Sequence, residues 1–509
     1  MSVIDRDGAA GMNKKLTITS FIVALITLAV YWQTGSHAFI NLDDQAYIYE
    51  NPHVRGGLTG SSVIWAFTSV DYFYWQPLTW LSHMLDVQLF GMNPGWHHLS
   101  SVLIHTGSTI LLLIFLFRLT GQLWQSAFVA ALFALHPMHV ESVAWAAERK
   151  DVLSTLLGFL TLIFYVEHKR SSQLSDAKRQ PVFYLLSLFC FILGLMSKPM
   201  LVTLPVIMLL IDYWKFPSHP TLSFSAIRAA LLDKTPFITL SIASSIITIY
   251  GQNNAGAMPT TATHSITLRI ENAVISYAQY ILKTLYPHDL AVYYPMPASF
   301  PLWQVICSLI ILAIISAVVI RFRYTYRYLP VGWCWFLICL LPVIGLTQAG
   351  FQAMADRFSY MPHVGLFIII AWGITDVTGR LKYQKEILVF FAISIIATST
   401  AITWRQIGIW KNSLTVFEHA LNATDNNWMA LNNLGKAYLD AGRIDDALWC
   451  FSESVKAKPD YVVSLINLGA MLAVKNRHKE AFEALTQALQ IEPNNEKALR
   501  LLGNLPQKH

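Results

Sequence analysis

The chain has 509 residues, of which 54% are apolar and only 13% charged, with a net charge of +6 and a mean hydropathy of +0.45. Soluble proteins carry roughly 25% charged residues, so the composition excludes a soluble globular enzyme and places most of the chain in lipid. The positive charge is divided among the ends of apolar runs rather than gathered in one patch, which argues against a nucleic-acid partner.

The first apolar run, Leu16 to Trp32, follows Lys14 and Lys15 and is not closed by a small-residue cleavage site. It reads as a retained membrane helix. A spanning helix needs about 20 mostly apolar residues. About eleven segments qualify: 16–34, 98–118, 124–143, 150–167, 182–198, 199–214, 236–251, 302–320, 330–347, 363–378 and 385–404. The fifth and sixth meet at Ser197-Lys198-Pro199, where proline breaks the helix. The 266–286 stretch, moderately apolar but carrying Arg269, Glu271 and Lys283, reads either as a span or as an amphipathic helix lying on the membrane surface, and the positive-inside rule favours the second. With that assignment, seventeen Lys and Arg fall on one side and seven on the other, up to residue 404. The richer side is cytoplasmic. The odd span count then puts the outer loop 35–97 and the C-terminal segment on the opposite face.

The five cysteines form no CxxC pair or His/Cys cluster, so neither a zinc site nor a disulfide framework is indicated by them. Beyond residue 404 a 34-residue period is plain. Leu434-Gly435 recurs as Leu468-Gly469 and Leu502-Gly503, Ala447 as Ala481, and Pro459 as Pro493. This is the tetratricopeptide pattern, preceded by a lone helix over 409–424. The expected fold is therefore all-α. A polytopic bundle of about eleven transmembrane helices over 1–404 precedes a tetratricopeptide-repeat α-solenoid over 405–509. Such arrays bind extended peptides or partner proteins; the alternative is a packing domain without a ligand.

Ionisable residues at membrane depth are expensive and hence functional candidates. Four clusters fall on the outer side. In Asn41-Leu42-Asp43-Asp44, two adjacent carboxylates repel, so one can hold a raised pKa and act as a base; the alternative is a solvated capping pair. His136-Pro137-Met138-His139-Val140-Glu141, followed by Glu148-Arg149-Lys150-Asp151, offers a string of metal-ligand types whose spacing matches no strong metal pattern. Its Arg149-Lys150 pair at a helix start can bind an anion. Lys198 needs an anionic partner or snorkels to the headgroups. Asp356-Arg357 with aromatic neighbours suits a phosphate or a sugar, or is a structural ion pair. Aromatics including Tyr72, Phe73, Tyr74, Trp75, Trp80 and Trp96 crowd the first loop, as an interfacial belt or as sugar-stacking platforms.

These clusters, in this order, resemble the transmembrane and tetratricopeptide-repeat O-mannosyltransferases, in particular bacterial relatives of that family. The residues that carry the resemblance are Leu42-Asp43-Asp44 with Asn51-Pro52, Trp75-Gln76-Pro77-Leu78-Thr79, Phe133-Ala134-Leu135-His136-Pro137, His139-Val140-Glu141-Ser142-Val143, Arg149-Lys150-Asp151, Ser197-Lys198-Pro199 and Ala355-Asp356-Arg357. Gln76 stands where animal members tend to have Arg. Arg149-Lys150-Asp151 stands where they tend to read Gly-Arg-Ala-Asp. The resemblance implies a glycosyltransferase of the GT-C type, with a polyprenyl-phosphate-linked sugar as donor and protein Ser/Thr hydroxyls as acceptors. Mannose is the sugar the family suggests. It assigns Asp43 and Asp44 to catalysis. Lys198, Arg357, Arg149 and Lys150 are the expected donor-phosphate contacts, and His136, His139, Glu141, Trp75, Gln76 and Asp356 the candidate sugar or acceptor contacts. No cofactor is expected; a divalent metal is compatible with the sequence but not indicated by it. The expected setting is a bacterial inner membrane, N-terminus cytoplasmic, with the repeats in the periplasm holding the acceptor protein. The competing readings are transfer to a glycolipid or surface polysaccharide, and a non-catalytic membrane scaffold.

Overall fold

The computed structural model describes residues 3–70, 75–173, 178–216, 224–254, 265–346 and 350–506. Tyr72, Phe73 and Tyr74, counted above among the loop aromatics, lie outside the described residues. Among those described the architecture is helical, with one isolated bridge between Pro295 and Gln352.

The helices that matter here are α1 (Val3–Tyr31), α2 (Pro77–Phe90), α3 (Pro94–Thr120), α4 (Leu123–Leu135), α5 (Arg149–Gln173), α6 (Arg179–Leu195), α7 (Leu204–Lys215), α8 (Thr235–Asn254), α9 (Ile266–Leu285), α10 (Leu302–Phe322), α11 (Tyr328–Leu340), α12 (His363–Thr378) and α13 (Gln384–Ile409). Among the described residues, five stretches are long and apolar enough to cross a membrane: Gly11–Ser36, Pro94–Thr120, Ala146–Gln173, Leu302–Phe322 and Gln384–Ile409. A sixth arises if Leu123–Leu135 and Pro137–Ala144, bent by 54°, count as one.

The expected eleven spans are thus not matched by eleven long helices, and proline explains much of the difference. Pro137 cannot donate an N–H, so α4 stops at Leu135 and the 124–143 segment breaks. Pro199 opens a 3₁₀ turn, Pro199–Thr203, so only the 12 residues of α7 are α-helical. At 1.5 Å per residue α7 is about 18 Å long, short of a hydrocarbon core of about 30 Å.

Burial sorts the long helices. More than half of each apolar stretch of α3 and α5 is buried, at 56% and 61%, against 11% for α10 and 6% for α13. α3 and α5 therefore form the centre. α10 and α13 turn residues such as Ile310 and Phe390 outward, as lipid-facing helices do. α11 and α12 touch backbone to backbone. A Cβ on Gly332 would strike the carbonyl of Gly365, and the reverse also holds.

The 266–286 stretch is a helix, α9, that is not among the stretches long and apolar enough to cross a membrane. α9 buries its polar residues Asn272, Tyr280 and Lys283 inside the protein. Asn272 Nδ2 donates to Ala353 O at 2.8 Å and Tyr280 Oη to Ala355 O at 2.8 Å. Those bonds to the 353–355 segment replace the water a surface helix would need.

Six further helices follow: α14 (Ser413–Ala423), α15 (Trp428–Asp440), α16 (Ile444–Ala457), α17 (Val462–Val474), α18 (His478–Ile491) and α19 (Glu496–Gly503). The 34-residue period has a packing cause. A Cβ on Gly435 would lie 2.7 Å from the Phe451 ring, and one on Gly469 would lie 2.7 Å from Leu485. A Cβ on Gly503 would meet nothing within 4 Å. The array rests on the membrane helices' loop end. Ala38 N donates to Lys411 O at 2.9 Å, Asn41 N to Ser413 Oγ at 2.9 Å, and Asn41 Nδ2 to Asn433 O at 3.2 Å. On its other flank Asn427 Nδ2 donates to Tyr293 O at 2.9 Å. The first loop and the repeats therefore share one end of the molecule.

Gly365→Ala overpacks the α11–α12 contact and should lower stability by about 1–3 kcal/mol, read as a lower melting temperature in detergent. Gly373→Ala on the same helix, where the nearest heavy atom is 3.9 Å away, should leave it unchanged or raise it.

Candidate active site

The break at Pro137 builds the site. Between α4 and α5 the chain passes through two 3₁₀ turns, Pro137–His139 and Ala146–Glu148, and one helical turn, Val140–Ala144. This irregular stretch carries Glu141 and Glu148 inward, and the first turn of α5 adds Lys150 and Asp151, all buried.

Glu148 is the hub. Its carboxylate lies 3.0 Å from Lys150 Nζ, 3.4 Å from Lys198 Nζ and 3.4 Å from Arg357 Nε. Lys198 also pairs with Asp151 at 2.5 Å. Arg357, from the 3₁₀ turn Asp356–Ser359, pairs its guanidinium with Glu141, and its backbone N–H donates to the same carboxylate at 2.9 Å. A buried charge without a partner is costly, and breaking one such pair typically costs about 3–5 kcal/mol. Here Lys150, Lys198 and Arg357 are balanced by Glu141, Glu148 and Asp151.

Asp43 and Asp44 approach this network from the first loop and behave differently. Asp44 is fully buried. Ile40 N donates to its Oδ2 at 2.8 Å and Ala147 N to its Oδ1 at 2.7 Å. Burial pushes its pKa up to about 7, and the two backbone donors work against that rise. Both oxygens are committed to tying the loop to the Ala146–Glu148 turn. Asp43 is partly exposed, and no hydrogen bond from a described residue reaches its carboxylate. Burial raises its pKa too, Lys150 and Arg357 lower it, and Glu148 raises it. Asp43 is therefore a free carboxylate beside two cations, with Lys150 held between Glu148 and the face of Tyr47 at 4.6 Å.

Of the remaining candidates, the structure joins some and removes others. Arg149 points away from the hub. Its guanidinium pairs with Asp86 and donates to His97 O, to Ser82 O at 3.3 Å and to Ser101 Oγ at 3.2 Å. It pins α2 and α3 to α5 and is not placed for a donor phosphate. His136 and His139 sit in a closed chain, not facing an acceptor. His139 Nε2 meets His363 Nδ1 at 3.0 Å, His363 Nε2 meets Thr284 Oγ1 at 3.0 Å, and His136 Nε2 meets Thr284 O at 3.1 Å. Their nitrogens are occupied and Glu141 is held by Arg357, so these three do not converge on a metal. Asp356 accepts from Tyr294 Oη, 3.0 Å from each carboxylate oxygen, and is likewise structural. Trp75 Nε1 donates to Phe67 O at 2.8 Å. Gln76 is buried with neither amide atom hydrogen-bonded.

Glu148 and Asp151 gained no role from sequence, although their i, i+3 spacing at a helix start was visible. Lys198 and Arg357 flank a crevice of about 20 Å³, the room of one water. Met200, Leu201, Cys339 and Met361 continue it as an apolar slot between helices.

Comparison with known proteins agrees with this layout. Residues 430–461 match the tetratricopeptide repeat family. Over 84% of its length the chain is 23% identical to human protein O-mannosyl-transferase TMTC1, and over 97% it is 22% identical to human TMTC3. Over 82% it is 24% identical to the Caenorhabditis elegans protein O-mannosyl-transferase F38B6.6. Over most of its length the chain is thus similar to proteins named protein O-mannosyl-transferases. It spans 54%, 57% and 60% of the length of these three proteins, respectively. The first-loop acidic pair, the broken helix and the terminal repeats lie within the aligned region of a relative that covers nearly the whole chain.

Asp44→Ala should strip two buried N–H groups of their acceptor, at about 1–3 kcal/mol each, and markedly lower the melting temperature in detergent. Asp43→Asn removes no hydrogen-bond acceptor in use and should change it by a small fraction of that. Equal losses in the two variants would contradict the division between them.

Proposed function

We propose that this chain is an inverting glycosyltransferase that moves a sugar from a polyprenyl-phosphate donor to Ser or Thr hydroxyls of a protein, at the outer face of a bacterial inner membrane. Residues 1–404 form the membrane domain and 405–509 the repeat domain that holds the acceptor. One observation carries the assignment: Asp43 is a partly exposed carboxylate with no hydrogen bond from a described residue, beside the paired cations Lys150 and Arg357. The named activity of the relatives supports the same reading.

Asp43 accepts the proton of the acceptor hydroxyl as its oxygen attacks the anomeric carbon. The bond from that carbon to the phosphate oxygen breaks, and polyprenyl phosphate leaves with the electron pair. Glycosidases need a second carboxyl group to protonate an alkoxide leaving group, whereas a phosphate leaves as a stable anion. Lys150 and Arg357 offset its charge. Their carboxylate partners hold them in place beforehand, so no reorganisation is required at the moment of reaction. Lys198, clamped by Asp151 and Glu148, fixes the wall of the crevice. The crevice now admits one water, so a donor phosphate enters only as it widens. Mannose is the sugar favoured by the relatives' names.

With purified protein, radiolabelled polyprenyl-phosphate mannose and a Ser/Thr-rich peptide pool, Asp43→Asn should cut label transfer to peptide by about 10²–10⁴-fold while the protein stays folded. Undiminished transfer would overturn the role of Asp43. Label on an added envelope glycolipid instead of peptide would replace the acceptor class, and no transfer to either would favour a scaffold. A base must be ionised, so the wild-type rate should fall as pH drops through the Asp43 pKa. Burial raises that pKa, so the acid limb should lie above the 3.8 of an ordinary aspartate.

A further inference from the structure

Away from the Glu148 hub, on the far side of Arg149, three side chains meet that the transfer scheme does not use. His83 and Asp86 stand one turn apart on α2, and His97 lies in the first turn of α3. The turn between them, with Gly91 at φ 64° and Pro94 opening α3, folds the two helices back on each other. All three residues are buried, and their ligand-type atoms lie within 4.8 Å of one another. His97 Nδ1 is 3.6 Å from Asp86 Oδ2. We propose that His83, Asp86 and His97 form a structural divalent transition-metal site, of the zinc class, that fastens the outer loop to α3.

His83 gives the strongest reason. Its side chain is fully buried, yet neither ring nitrogen has a hydrogen-bond partner. A buried imidazole with both nitrogens idle is a poor packing residue and a competent ligand. His97 is arranged as metal-binding histidines are. Its Nε2 lies 3.3 Å from Gly91 O, which favours the tautomer that donates there and leaves a lone pair on Nδ1. Nδ1 itself has no hydrogen-bond partner and faces Asp86. Asp86 is likewise oriented from outside, by Ser100 Oγ at 2.9 Å and by Arg149. Arg149 takes a share of Asp86, and its hydrogen bonds go to two carbonyls, a hydroxyl and that carboxylate, not to either imidazole. Two imidazoles and one carboxylate suit zinc, with a fourth position for water. The spacing, His-x-x-Asp-x₁₀-His, is not visible as a site in the sequence because the turn at Gly91 creates it.

The test uses the full-length protein in detergent and reads metal, not sugar transfer. After dialysis against a chelator, or after reloading with Zn²⁺ alone, wild-type protein should hold about one zinc per chain by elemental analysis. His83→Leu should hold none. It should also melt below zinc-loaded wild type, although it replaces an unpartnered polar group with an apolar one. Three outcomes overturn the site. Wild type may neither retain nor take up Zn²⁺ or Co²⁺. His83→Leu may melt at or above wild type. Metal may persist undiminished in His83→Leu, which would place it elsewhere. If His83→Leu does not fold, Co²⁺-loaded wild type decides. Visible bands of a four-coordinate nitrogen and oxygen site at one equivalent support the proposal, and their absence refutes it.

Discussion

Three buried cations around one carboxylate constrain this molecule more than any other contact. Glu148 cannot be buried beside Lys150, Lys198 and Arg357 unless Glu141 and Asp151 complete the pairing. These charges come from the broken stretch after α4, the start of α5, the turn before Pro199 and the turn before α12. The network therefore fixes four separate parts of the chain relative to one another, at a depth where unpaired charge is not tolerated. It depends in turn on Pro137. An unbroken helix through residues 136–148 would hold Glu141 and Glu148 on one face but about 10 Å apart along its axis, instead of bringing both to Arg357.

The first loop is bound to this network by Asp44 and to the repeats by Ala38 and Asn41. Asp43 sits between those two attachments. A carboxylate held on both sides, yet not itself hydrogen-bonded, is pre-positioned without being neutralised. The solenoid is thus more than an appendage: its helices α14 and α15 help set the position of the loop that carries the proposed base. His83, Asp86 and His97 lie on the other side of Arg149, where α2 and α3 enclose the opposite end of the same loop.

Much of this was legible in the sequence, and the exceptions have physical causes. The 34-residue period and the order of the polar clusters follow from local sequence, so the repeats and the charged clusters could be read directly. The difference between Asp43 and Asp44 could not, because it is made by the N–H of Ala147, more than a hundred residues away. Arg149 and Lys150 look interchangeable as cations, but consecutive helical residues point about 100° apart. One therefore meets Asp86 and the other Glu148. Hydropathy counted 199–214 as a span because it registers apolar content and not the 3₁₀ turn that Pro199 imposes. The partners of the polar residues of α9, Ala353 and Ala355, are not legible from 266–286 alone because they are distant in sequence. His83 drew no attention because its lack of a partner is a property of the folded interior.

The central claim is that Asp43, Lys150 and Arg357 form one site for a lipid phosphate and an attacking hydroxyl. Electron cryomicroscopy of the protein with polyprenyl phosphate bound tests it most directly. We predict phosphate density within hydrogen-bond reach of Arg357 or Lys150, with the Asp43 carboxylate opening onto the same cavity and the lipid leaving between helices through the widened crevice beside Lys198. Phosphate density at a site from which Asp43 is out of reach would contradict it.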